Sequence, residues 1–134
     1  MRPREPWKKI YGLMIHSASA GATRSRVKRV TVTIEDLKYI FEKQGRKCYW
    51  LDIPLDPNNN YIANHPLAIS VDRLDNSRGY HKNNIVICSR FANLGRGPFD
   101  PNQFIGVITL IKKYLRNPPS ENKEDNQPRL WEEE

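Results

Sequence analysis

The sequence predicts a small α+β domain: a strand–loop–strand–short helix unit in the middle of the chain, with α-helices on either side. Three observations predict it. Apolar residues recur at helical spacing near both ends, at Trp7, Ile10, Tyr11, Met14 and Ile15 and again at Phe104, Ile108, Ile111 and Leu115. Between them, one apolar run ends at Asp72 and another begins at Ile85, with Asp75, Asn76, Ser77 and Gly79 as turn formers in between. Hydrophobic residues make up 38% and charged residues 28% of the 134 positions, which suits one modest core rather than two.

The elements follow in order. The first helix begins after Pro6 and fades in the small-residue stretch SASAGATRSRVKRV. His16 follows its apolar face and reads as structural. Thr31-Val32-Thr33 is a short extended piece, and Thr33 caps the second helix with Asp36 in the capping-box position. Leu37, Ile40 and Phe41 form that helix's apolar face, and Gly45 ends it. Tyr49 and Trp50 read as packing aromatics at the head of a turn-rich segment, LDIPLDPNNNY, with room for one short strand pair. A strand is expected from His65 to Val71 and a second from Ile85 to Cys88. Ser89 can cap a short helix through Asn93, stopped by Gly95. Asp100, Pro101 and Gln103 open a last helix whose buried stripe is Phe104, Ile108, Ile111 and Leu115. One domain is therefore expected over residues 1–117: a basic helical part at 1–46, the hairpin core at about 47–97, and a C-terminal helix at about 101–116. Residues 118–134 read as an acidic, flexible tail, although its Leu130 and Trp131 could dock on the domain.

The net charge is +7 and uneven: +8 over residues 1–50, +3 over 51–116 and −4 over 117–134. A basic N-terminal half favours a polyanionic partner, most simply nucleic acid. Arg24, Arg26, Lys28 and Arg29 can face a phosphate backbone or simply solvate a helix end. Arg78, Lys82, Arg90 and Arg96 add positive charge around the hairpin; such contacts hold a substrate without reading its sequence. The longest uncharged apolar stretch, Phe104 to Ile111, is far short of the ~20 residues that span a bilayer, so no membrane partner is expected. No secretory signal is evident. Cys48 and Cys88 stand alone rather than in C-x-x-C pairs, which argues against structural zinc and for reduced core thiols in a cytoplasmic protein.

If the central unit folds as a hairpin with its helix packed across it, Asp72, Asn84 and Asn93 converge. A carboxylate and an amide carbonyl are hard oxygen ligands, suited to a Mg²⁺ ion that keeps several waters and completes its shell with substrate phosphate. Such an ion stabilises charge on a phosphodiester and its leaving oxygen. A base is still needed to activate water. Asp-Asn-Ser-Arg-Gly is equally well a plain turn.

These residues resemble the HNH endonucleases of the ββα-metal (His-Me finger) superfamily, and within it the homing-type group of phages and viruses. The resemblance rests on Thr33-Ile34-Glu35-Asp36-Leu37, on Gln44-Gly45-Arg46-Lys47-Cys48 with Pro54-Leu55, and on Ser70-Val71-Asp72-Arg73-Leu74-Asp75 with Gly79-Tyr80, Asn84 and Asn93. It covers about residues 7–97, and the segment from Asp72-Arg73 to Asn84 is its specific part. It implies a small ββα-metal hairpin-plus-helix core flanked by N-terminal and C-terminal helices. It also implies a metal-dependent DNA endonuclease with Asp72 and Asn93 as ligands of Mg²⁺ (or Mn²⁺ in its place), and Asn84 as the residue that ties down the loop and orients the base. Arg73 stands where the commoner pattern has its general-base histidine. Arginine stays protonated, so it is suited to clamping phosphate and not to accepting a proton. The base then falls to His65, to His81 or to solvent hydroxide, or is lost. The competing expectations are a catalytically degenerate HNH-fold module that only binds DNA, and an RNA-directed nuclease. Monomer and homodimer both remain open; symmetric double-strand cutting by a one-site chain needs two copies.

Overall fold

The computed structural model describes residues 5–19 and 29–117. Within them the chain forms four helices and one two-stranded antiparallel sheet, a small α+β arrangement. No described helix is long and apolar enough to cross a membrane. Arg24, Arg26, Lys28 and the acidic segment 118–134 lie outside the described residues.

Helix α1 (Pro6–Ser19) buries Trp7, Ile10, Met14 and Ala18. Tyr11 sits at the edge of that face and its hydroxyl donates to Val32 O at 2.9 Å. Ile15, expected on the buried face, is exposed, because the contact stripe runs on through Ala18 instead. Helix α2 (Ile34–Lys43) opens with the expected box: Asp36 N donates to Thr33 Oγ1 and Thr33 N to the Asp36 carboxylate. It ends where Gly45 takes a φ of +76°, a left-handed turn that favours glycine. Leu37 and Phe41 face inward, and the Phe41 ring meets Trp7 at 5.3 Å, joining α1 to α2.

Strand β1 (Ile69–Arg73) pairs antiparallel with β2 (Ile85–Ser89), with Val71 opposite Ile87 and Asp72 opposite Val86. The first strand starts later than expected. His65 instead begins a turn, with Ala68 N donating to His65 O and Leu67 N to His65 Nδ1. A two-stranded sheet has two open edges, and two amide side chains cover them here. Asn60, from a 3-10 turn at Pro57–Tyr61, both donates to and accepts from the Ile69 backbone. Gln44, just past α2, does the same for Ile87. Each imitates the next strand with one residue, so the strands stay short and still satisfy their backbone groups.

Helix α3 (Arg90–Arg96) is capped by Ser89 and runs on to Gly97, two residues beyond the expected stop at Gly95. It lies over the sheet, completing a ββα unit with β1 and β2. Helix α4 (Pro101–Arg116) has the expected Asp100–Gln103 capping box. Its expected stripe is only half buried. Phe104 is covered by Trp50, ring to ring at 5.3 Å, and Ile108 partly so, whereas Ile111 and Leu115 stand in solvent. The helix leaves the body of the domain after two turns, so the outer half of its stripe meets nothing among the described residues. Cys48 and Cys88 are free thiols in the core, and burial pushes the Cys88 thiol well above its ordinary value of 9.0.

Candidate active site on the hairpin and helix α3

Asp72 leaves the sheet on the side of Trp50 and α3, and it is buried. Its Oδ2 accepts from Trp50 Nε1 at 2.9 Å and from Arg96 Nη1 at 3.1 Å. Arg96 lies two turns into α3 and is 1% exposed. Its guanidinium also donates to Phe99 O at 2.9 Å, to Leu74 O at 2.8 Å and to Arg73 O, and it lies 5.2 Å from the Trp50 ring centroid. The sequence places Arg96 among the surface phosphate contacts. The fold instead spends its guanidinium on a carboxylate and three carbonyls inside the protein, because one face of the short helix must lie on β1.

Asn93 sits one turn earlier on the same face of α3. Its Nδ2 donates to Ser70 Oγ at 2.6 Å and to Val71 O at 3.5 Å. Helix and strand therefore meet in two rungs, Asn93 with Ser70 and Arg96 with Asp72. Hydrogen bonds from described residues occupy only Oδ2 of Asp72 and only Nδ2 of Asn93. Asp72 Oδ1 and Asn93 Oδ1 therefore carry no hydrogen bond from another described residue.

Asn84 closes the hairpin loop from inside. It is 1% exposed, its Oδ1 accepts from Asp75 N at 2.9 Å, and its Nδ2 donates to Asp75 O at 3.1 Å and Gly79 O at 2.9 Å. Arg73 works on the same loop from the other side. Its Nη1 donates to Asn76 O at 2.7 Å and Arg78 O at 2.9 Å, with the guanidinium 5.2 Å from the Tyr80 ring. Burial raises the Tyr80 phenol above 10.0, against the pull of Arg73. Asp75 caps the turn: hydrogen bonds from the Ser77 hydroxyl and amide, with Arg78 and Arg73 nearby, hold its carboxyl below 3.8.

Neither histidine hydrogen-bonds to Asp72 or Asn93. The Nδ1 of His65 accepts from the Leu67 amide, which puts the neutral ring's proton on Nε2 and leaves no basic nitrogen free. The Nδ1 of His81 meets the Thr31 hydroxyl at 2.8 Å; when Nδ1 carries the proton, Nε2 is a free base. The loop also carries the end of the basic N-terminal segment. Thr31 N donates to Tyr80 O and Tyr80 N to Arg29 O, and a Cβ on Gly79 would stand 2.4 Å from Arg29 O. Arg29 is thus held against the hairpin loop. Lys82 pairs with Asp36 at 3.6 Å, Arg78 bonds Asn83 Oδ1 at 3.1 Å, and exposed Arg90 lines a cavity of about 160 Å³ between α1 and β1. A larger hollow of about 530 Å³ lies between the hairpin loop and the α3–α4 connection, lined by Asn76, Arg78, Asn83 and Pro98 among others.

The donor set can be tested against Mg²⁺. Two hard oxygens of the right kind are left open, and both side chains are held in place by bonds through their other atoms. Among the described residues no group of three or more His, Cys, Asp or Glu converges, so an ion here would take most of its shell from water and phosphate. Arg96 already balances the charge of Asp72, which weakens the pull of this site on a free cation. The residues fit a metal that arrives with its substrate and do not form an all-protein cage. The sequence marks Trp50 only as a packing aromatic and Ser70 only as part of the motif, and shows neither their bonds to Asp72 and Asn93 nor the inward role of Arg96. An arginine three residues after Asn93, on the same helix face, is the one signal that points to it. Comparisons with protein-family models, curated proteins and solved structures find no match for this chain.

Proposed function

We propose that this chain is a metal-dependent DNA endonuclease of the HNH type, acting on phosphodiesters inside the cell of a phage host or similar mobile-element setting. The observation that supports the reading is the ββα unit, with Asp72 on its first strand and Asn93 on its helix, each with one oxygen that no other described residue hydrogen-bonds. Asn84 hydrogen-bonds the loop between the strands. A bound Mg²⁺ would be held by Asp72 and Asn93 and would supply charge stabilisation at the scissile phosphate. The chain's own residues do the rest. Trp50 and Arg96 fix the Asp72 carboxylate, Ser70 fixes the Asn93 amide, and Arg29, Arg78 and Arg90 offer exposed charge to the phosphate backbone. With Nδ1 donating to the Thr31 hydroxyl, His81 would have Nε2 free to take a proton from water.

A second reading has its own observation. The Asp72–Arg96 pair and the Arg73 bonds to loop carbonyls hold the hairpin together without any ion. That favours a DNA-binding module whose catalysis has lapsed. One experiment separates the two: purified protein with supercoiled plasmid and Mg²⁺ or Mn²⁺, beside EDTA and the variants Asn93→Ala and Asp72→Asn, which spare the fold more than Asp72→Ala. Metal-dependent nicking lost in EDTA and in both variants supports the endonuclease. Salt-sensitive binding without cutting overturns it for the module. Preferential cutting of competitor RNA moves the substrate from DNA to RNA.

A further inference from the structure

Helix α4 is docked by its first two turns and free beyond them. Its apolar residues repeat at seven: Phe104, Val107 and Ile108, then Ile111, Tyr114 and Leu115. Positions spaced in this way make a seam for another helix. Trp50 covers Phe104 and the core partly covers Ile108, but Val107, Ile111 and Tyr114 are about half exposed and Leu115 is 79% exposed. Leu110, beside them, is 53% exposed. Large apolar side chains gathered on one stripe are uncommon on a surface that meets only water.

We infer that this stripe is the contact by which two copies of the chain pair, helix against antiparallel helix. Among the described residues nothing covers its exposed part. The stretches outside the described residues hold Met1, Val27, Leu130 and Trp131 as their large apolar side chains, spread over three separate segments. The exposed residues Val107, Leu110, Ile111 and Tyr114 lie near the middle of the helix, where a twofold contact can set each copy's residues against the other's. Charge sets the direction. Lys112, Lys113 and Arg116 lie at the C-terminal end and Asp100 caps the N-terminal end. A parallel pair would bring six cations together. An antiparallel pair sets Arg116 of each copy toward Asp100 of the other and opposes the helix dipoles. The exposed stripe residues offer on the order of 500 Å² per copy, so roughly 1,000 Å² in all, near the lower bound for a specific interface. Pairing over so small an area is therefore weak and reversible.

The inference does not depend on whether the protein cuts DNA. It is tested by sedimentation equilibrium of the full chain over about two decades of concentration spanning the micromolar range. The mass should rise from the 15.7 kDa of one chain toward twice that value. The double variant Ile111→Glu, Leu115→Glu alters exposed positions only, so it keeps its circular dichroism spectrum and should stay at one chain throughout. A single-chain mass for the unaltered protein at every concentration overturns the inference. So does pairing that survives the double variant, which would locate the contact elsewhere. A third overturning result is association that appears only after residues 118–134 are removed, which would make that segment the cover.

Discussion

Removal of the Arg96 guanidinium should be the most costly single change in this domain that alters no apolar contact of the sheet. The side chain is 1% exposed and donates to the Asp72 carboxylate and to the carbonyls of Arg73, Leu74 and Phe99. Arg96→Met keeps most of the packing against Trp50 and deletes every one of those donors. Asp72 is then a buried carboxylate with one hydrogen bond, from Trp50. Breaking a buried ion pair from one side costs about 3–5 kcal/mol, a large share of the roughly 5–15 kcal/mol that holds a domain folded. At about 4 °C per kcal/mol for a chain of this size, the melting temperature should fall by roughly 12–20 °C. Urea denaturation measures the free energy directly, and the slope should be unchanged if the folded state keeps its extent. Asp72→Asn should remove part of the penalty by removing the charge that Arg96→Met strands. The double variant should then cost clearly less than the two single losses added, by about 1 kcal/mol or more. A loss under about 1 kcal/mol for Arg96→Met, or strict additivity with Asp72→Asn, would refute the reasoning that this pair clamps helix α3 to the hairpin.

The other consequences concern the loop, its seam with the N-terminal segment, and acid. Asn84→Ala strips three hydrogen bonds from the hairpin loop and should cost about 2–3 kcal/mol by urea denaturation, with Asn84→Asp worse because a carboxylate would face the Asp75 and Gly79 carbonyls. Gly79→Ala drives a methyl group against Arg29 O, so amide exchange at Thr31 and Tyr80 should quicken before the sheet amides respond. Asp36 and Asp75 both have folded pKa values below 3.8, the first chiefly through the Thr33 amide and the second chiefly through the Ser77 hydroxyl. Their contribution is complete above 3.8 and disappears as pH falls through the lowered folded values, so Asp36→Asn should flatten the acid limb of a stability–pH curve. Cys88, raised by burial, should react with a thiol reagent only on unfolding, and stability should decline as pH rises above 9.0, where only the unfolded thiol ionises.

Much of the local architecture was legible because it is written in neighbours. Thr33 with Asp36 and Asp100 with Gln103 bond within one turn, so residue type and spacing are enough to place both helix starts. The turn formers between Asp72 and Ile85 likewise set the hairpin, and Ser89 sets the helix after it. The start of β1 was missed because His65 to Ala68 have the composition of a strand but form a turn, and the strand begins only where Asn60 supplies an edge partner nine residues back.

Residue types alone brought Asp72, Asn84 and Asn93 to one small unit, since a hairpin followed by a capped helix can pack in few ways. Which atoms of those residues stay open was decided by contacts over 20 residues apart in sequence: Trp50 and Arg96 on one oxygen of Asp72, Ser70 on the amide nitrogen of Asn93. Arg96 and Arg78 are the same residue type on one basic stretch, yet one is buried and the other exposed. Periodicity likewise marked Phe104, Ile108, Ile111 and Leu115 as one stripe without saying how much of it the domain could reach. The sequence determined which faces are apolar and which side chains can hold a charge, because those are properties of residues and their near neighbours. Only the tertiary structure decided which of those faces and charges are consumed inside the fold, because burial is a property of what the rest of the chain brings against them.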